Sequence, residues 1–135
     1  MAKTAVNKRD RIVVGRRKEA VARVIVKPGK GKITINGRKF GEYFPRLTHQ
    51  IKIMAPIKAC GVEKKYDFSA KVEGGGITGQ TGAVVLGIAR ALVAENPDFQ
   101  PILKKGKFLT RDPRMVERKK YGRHKARKSH QFSKR

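Results

Sequence analysis

The chain has 135 residues, enough for one domain, and carries 34 Lys plus Arg against 10 Asp plus Glu, a formal net charge of +24. Self-repulsion on that scale opposes a compact state unless a polyanion compensates it, and nucleic acid does so while releasing condensed counterions. The lone Cys60 excludes an internal disulfide and suits a reducing compartment, and the lack of an unbroken bilayer-length apolar run argues against a membrane partner.

The charge is unevenly spread. Residues 1–30 hold 10 basic and 2 acidic side chains, residues 31–100 hold 10 and 6, and residues 101–135 hold 14 and 2. The middle reads as an ordinary folded unit, and the ends read as basic arms, because blocks of like charge are usually solvated interaction segments. We therefore expect a globular unit over residues 1–107 that includes a short basic N-terminal arm. An extended basic tail is expected over 108–135. The opening MAKTAVNKRDRIVVG has no apolar segment of the secretory kind, so no leader is expected.

In chain order, RIVVG predicts a short strand beside EAVARVIVK, whose alternation of Ala20, Ala22, Val24 and Val26 with Val21, Arg23 and Ile25 is that of a half-buried strand. KPGKG places Pro28 and Gly29 for a type II turn, and KITING reads as the returning strand of a hairpin from Glu19 to Asn36. Asn36-Gly37 marks the next tight turn. GEYFPRLTHQIKIMAPIKACG predicts a helix with Leu47, Ile51 and Met54 on its apolar face, Pro45 near its start and Pro56 kinking or ending it. KKYDFSAKVE alternates Tyr66, Phe68, Ala70 and Val72, as a strand does. After GGG comes the longest predicted helix, ITGQTGAVVLGIARALVAENP, with Ile77, Val84, Val85, Ile88 and Leu92 on one face. NPDFQPILKK predicts a short closing helix. The sum is an α+β fold, a small mixed sheet of about four strands covered by helices on one face, with an extended C-terminal tail.

The glycine stretch GGGITGQT resembles a P-loop but has Gln80 where that loop needs a lysine for the β- and γ-phosphates. Two readings stay open. The glycines can serve a sharp strand-to-helix turn, or the backbone of Gly74, Gly75, Gly76 and Gln80 can grip a phosphate of an RNA chain at a helix N-terminus. His49, His124 and His130 are joined by no Cys or carboxylate cluster, so no metal site is expected. Cys60 reads as a small buried residue, and Glu63, Glu73 and Glu95 as surface carboxylates. No active site assembles; no enzyme, cofactor or small-molecule substrate is expected. Tyr121 and Phe132 stand among Lys and Arg, either to stack on unpaired bases, worth about 1–3 kcal/mol per base, or to pack on protein.

GRRKEAVARVIVKPGKGKITING, EYFP at 42–45, GGGITGQTGAVVLGIARAL at 74–92 and LTRDPRMVERKKYGRHKARKSHQFSKR at the end together resemble ribosomal protein nine of the small subunit. The resemblance runs from Arg11 to Arg135, and the S-K-R ending is similar to bacterial and plastid members. It implies a fold like the second domain of small-subunit ribosomal protein five. It also implies a place in the head of the small subunit, among neighbouring head proteins and on the 3′ major domain of 16S ribosomal RNA, in cytoplasm or plastid stroma. The tail would reach the peptidyl-tRNA site, where Ser133, Lys134 and Arg135 fall at the positions that meet anticodon stem-loop phosphates. The cations expected on ribosomal RNA are Arg16, Arg17 and Lys18, then Arg118, Lys119, Lys120, Arg123, Lys125, Arg127 and Lys128.

The last eighteen residues, nine of them Lys or Arg, span about 60 Å when extended. Contacts from such a thread to phosphates carry no base information and so suit every tRNA. The alternative is a free histone-like nucleic-acid condensing protein, against which the weakly charged middle argues for a docking body.

Overall fold

Alternating apolar residues build the middle of a sheet. In the computed structural model, which describes residues 11–133, the strands are β1 (Val13–Arg17), β2 (Ala20–Pro28), β3 (Ile33–Ile35), β4 (Arg38–Lys39) and β5 (Tyr66–Glu73). Ala20, Ala22 and Val24 of β2 and Phe68, Ala70 and Val72 of β5 are buried on one face, while Arg23, Ser69 and Lys71 between them are exposed on the other. The helices are α1 (Phe40–Tyr43), α2 (Leu47–Cys60), α3 (Ile77–Glu95) and α4 (Gln100–Lys105), with a 3₁₀ turn at Pro97–Phe99. α3 lies on β1 and β2, and α2 packs against α3, so the α+β reading with helices on one face holds.

The sheet has five strands rather than about four, in the order β1-β2-β5-β3-β4; the added one is the two-residue β4. All neighbours are antiparallel except β3 and β5. The hairpin expected from Glu19 to Asn36 does not form, because β5 lies between β2 and β3. β5 pairs with β2 along its whole length, from Val21–Glu73 to Pro28–Tyr66, which a three-residue β3 cannot match. The connection is not a type II turn on Gly29 either: Gly31 takes the left-handed φ of 98°, and the amides of Lys30, Gly31 and Lys32 all donate to Asp67 Oδ1 at 2.8–2.9 Å. A Cβ on Gly29 would lie 2.1 Å from the Asp67 carboxyl carbon. Asn36-Gly37 is a tight turn as expected, with φ of 51° and 79° in the β3–β4 hairpin.

The helix expected over 41–61 is two helices, interrupted at Phe44-Pro45-Arg46, and α2 begins at Leu47. Pro56 neither ends nor breaks α2, which runs on to Cys60 and is closed by Gly61 at φ 66°. The buried face of α2 is His49, Ile53, Pro56 and Ile57; of the expected stripe Met54 packs partly buried against the core, whereas Leu47 and Ile51 are exposed. On α3, Val84, Ile88 and Leu92 are buried as expected, but Ile77 at its start is exposed. By length and composition alone α3 could cross a membrane, which the composition reading passed over; here it is the core helix under the sheet.

β1 and α3 touch through their backbones. A Cβ on Gly15 would sit 2.1 Å from the Ala83 carbonyl oxygen and 2.3 Å from the Gly87 nitrogen. After α4, Phe108 and Leu109 still pack against the core, so body packing reaches two residues past 107; beyond them no helix or strand forms up to Ser133.

Candidate nucleic-acid interface

The β5–α3 turn is made by two left-handed glycines, Gly74 (φ 75°) and Gly75 (φ 63°), followed by Gly76 as the residue before α3. The turn abuts the β1–β2 connection: a Cβ on Gly74 would lie 2.6 Å from the Glu19 carbonyl oxygen. Strand-to-helix geometry therefore accounts for the glycines. At the same place, the first amides of α3 lack intrahelical acceptors and no side chain caps them.

Gln80 is used inside the fold. Its Nε2 donates to the Gly74 carbonyl at 3.0 Å, and its Oε1 accepts from the Tyr43 hydroxyl at 2.8 Å, so it ties the glycine turn to α1. The Gln80 amide is spent on the Gly76 carbonyl at 2.9 Å.

The expected basic residues divide by position. Arg16 is exposed on edge strand β1, Lys18 is exposed in the β1–β2 turn at φ 51°, and Arg17 is half-buried beneath α3. Lys18, Gly75 and Gly76 share a cleft of about 370 Å³ with the first residues of α3 and with Met115 and Val116 of the tail. The structure thus brings together Lys18, with its neighbour Glu19, the glycine turn and the entry of the tail, which lie far apart in sequence; Arg16 and Arg17 are not in this cleft. Arg118, Lys119, Arg123, Lys125, Arg127 and Lys128 follow, all exposed, with Lys120 half-buried. Tyr121 is 96% exposed and Phe132 88%, so neither packs on the body. Ser133 is exposed; Lys134 and Arg135 lie outside the described residues.

The tail is less straight than expected. Arg123 and Ser129 form an antiparallel bridge, the His124 amide donates to the Lys128 carbonyl at 2.9 Å, and Gly122 turns at φ 69°. This loop brings the His124 and His130 rings together, centroids 3.9 Å apart and planes tilted by 58°, a pairing that their spacing in the chain does not suggest. Among the described residues no group of three or more His, Cys, Asp or Glu could hold a metal.

Two carboxylates order the tail, and neither stands out in the sequence. Glu117 pairs with Lys120 and accepts from Arg127 Nε at 3.0 Å; these two cations, Lys120 first, hold its carboxyl below the usual range. Asp112 accepts from Arg114 through three side-chain contacts of 2.7–3.0 Å and one from the backbone amide at 3.0 Å, and lies 3.6 Å from Arg17 Nη2. Hydrogen bonds from the Arg114 side chain, more than any other cause, keep Asp112 far below the ordinary carboxylate pKa. The available signal was scarcity: these are the two acids among the last 35 residues. His49, not expected to bind a metal, is a buried core residue, 6.2 Å from the Phe44 ring and 3.4 Å from Thr78 Oγ1. Burial above all, then Arg46 and Lys52, lowers its pKa from 6.5 and keeps it neutral.

A family model described as Ribosomal protein S9/S16 matches residues 15–135. Among similar proteins, the small ribosomal subunit protein uS9 of a Thermus thermophilus strain is 54% identical over 121 residues, 90% of this chain and 94% of that protein. The protein of the same name from Anaeromyxobacter sp. (strain K) is 56% identical over 124 residues, 92% of this chain and 95% of its own length.

Proposed function

From a chain that belongs to the ribosomal protein S9/S16 family and has a structural role in translation within the small ribosomal subunit, we propose a body that docks on 16S ribosomal RNA and a tail that crosses that RNA toward the peptidyl-site tRNA. In this reading the body takes its place in the subunit head, on the 3′ major domain. Lys18, the glycine turn and Arg118 to Lys128 meet ribosomal RNA phosphates, and Ser133, Lys134 and Arg135 meet the tRNA anticodon stem-loop. The protein works ribosome-bound, in cytoplasm or plastid stroma, beside other head proteins and with no catalytic step of its own.

The supporting observation is the tail itself. Among its described residues from Arg118 onward, every cation but the half-buried Lys120 is exposed, and Tyr121 and Phe132 are left uncovered by the body. Such a segment gains free energy against phosphates and unstacked bases rather than by folding back. Arginine suits the phosphate contacts because its planar fork engages two oxygens at once.

The test is deletion of Ser133–Arg135. Small subunits carrying it should still assemble, while tRNA binding to their peptidyl site weakens. Wild-type tRNA affinity in such subunits would reject the tRNA half of the proposal.

A further inference from the structure

Arg17 is an arginine with too few acceptors. Its side chain is only 19% exposed, yet its Nε has no hydrogen-bond partner, Nη1 reaches the Thr78 carbonyl only at 3.4 Å, and Nη2 stands 3.6 Å from Asp112. Buried side-chain donors are nearly always hydrogen-bonded, so the unpaired Nε is an exception that calls for an acceptor. The fold holds the side chain there: a Cβ on Gly82 of α3 would lie 2.2 Å from Arg17 Cδ, so this helix keeps a glycine where the arginine passes.

The guanidinium faces a cavity of about 280 Å³ between β1, α2, α3 and the root of the tail. Arg16, Arg17, Lys52, Lys107 and Arg114 line it against one carboxylate, Asp112, leaving an excess of four positive charges. Arg16, Lys52 and Lys107 have no carboxylate partner among the described residues. Asp112 is bound far more closely to Arg114, two positions on, than to Arg17, so the pair can withdraw from Arg17 as a unit.

We propose that this cavity is an anion site for a phosphate group, gripped by Arg17, and that Asp112 is a resident carboxylate which the phosphate displaces, releasing the root of the tail from β1. The choice of phosphate rests on the nucleic-acid reading above; the site rests on the unmatched guanidinium. The ligand is either a backbone phosphate of RNA or a free phosphate, and both offer the paired oxygens that a guanidinium takes.

The experiment titrates the full-length protein with inorganic pyrophosphate, following the arginine Nε–Hε resonances and the exchange of the 112–114 amides by NMR. A saturable shift of the Arg17 resonance is expected, with faster amide exchange at the tail root. Arg17→Gln should weaken binding about tenfold, a size in keeping with removing one charge-assisted bidentate pairing. Asp112→Asn, at a side chain outside the core, should tighten it by removing the competitor. Lys64→Gln, in the turn before the opposite end of β5, serves as the control for general cationic attraction and should change little. A non-saturating shift, equal losses in Arg17→Gln and Lys64→Gln, or weaker binding in Asp112→Asn would overturn the proposal. Once a site is found, a short RNA duplex that expels the pyrophosphate marks backbone phosphate as the occupant, whereas binding of both marks a free phosphate. The tail reading is judged separately by tRNA affinity after the Ser133–Arg135 deletion, so either idea can fail alone.

Discussion

Single side chains stand in for backbone at two places in this sheet. Asn36, left-handed at φ 51°, donates from Nδ2 to the Val72 carbonyl at 3.0 Å and accepts the Val72 amide on Oδ1 at 2.8 Å, extending the β3–β5 ladder past its last residue. Asn36→Ala should destabilise the protein by about 2–3 kcal/mol, since both Val72 groups lose their partner and the new Cβ must sit left-handed. Asn36→Gly should lose about 1 kcal/mol less, because only the hydrogen bonds are removed. Urea unfolding of the two variants reads the difference. Asp67 does similar work at the other end of β5, where the Lys32 amide before all else, then those of Gly31 and Lys30, holds its carboxyl below the ordinary value. A carboxylate stabilised in the folded state contributes stability above its unfolded pKa of 3.8 and loses it as pH falls through the lowered folded value. His49 acts earlier: the unfolded chain takes up a proton near 6.5 that the buried ring refuses, so stability declines as pH drops below that value. Thermal unfolding against pH should show both declines. His49→Gln should flatten the one just below 6.5, and Asp67→Asn the one below 3.8.

Elements were legible where burial follows one period and illegible where partners come from far along the chain. β2, β5 and α3 could be read because Ala22, Val24, Phe68, Ala70, Val84, Ile88 and Leu92 alternate or recur as their buried faces require. The pairing of β2 with β5 was hidden, since the Pro28-Gly29 signal describes a local turn while Asp67, 36 residues beyond Gly31, organises that turn. The apolar face of α2 was misread in two of its three positions, because Leu47 and Ile51 are as hydrophobic as Ile53 and Ile57, and the helical period alone does not say which side is covered. Of the candidate interface, the charge was plain in sequence; its assembly from Lys18, the glycine turn and Met115–Val116 needed the fold. The approach of β1 to α3 was equally silent, because a glycine in a strand says only that something comes close. Gly15→Ala should cost about 3 kcal/mol or more, since the new methyl meets helix backbone that cannot rotate away. A matching loss in denaturant midpoint checks it; Gly15 is not left-handed, so the loss belongs to the clash rather than to backbone strain.

At the scale of the molecule, the charge is distributed so that folding and binding compete little. The middle segment carries ten cations against six acids and folds, while the last 35 residues carry fourteen against two. Neutralising Arg123, Lys125, Arg127 and Lys128 to Gln should leave thermal stability nearly unchanged. It should also make the plot of log binding constant against log salt for ribosomal RNA shallower by about 3, near 0.7–0.9 for each phosphate no longer neutralised. Filter binding at several salt concentrations measures that slope; an unaltered slope would place the RNA interface elsewhere.

The strand order carries one more consequence. β5, the middle strand, begins at Tyr66, 38 residues after β2 ends, and both β2 and β3 depend on it for a neighbour. During synthesis from the N-terminus, β1 and β2 can form only a two-stranded ribbon, which is marginal alone in water. The sheet can close only after Glu73 has left the exit tunnel, and α3 must emerge before its apolar face is covered. Nascent chains halted before that point should be protease-sensitive throughout, and longer ones should become resistant over a narrow range of lengths.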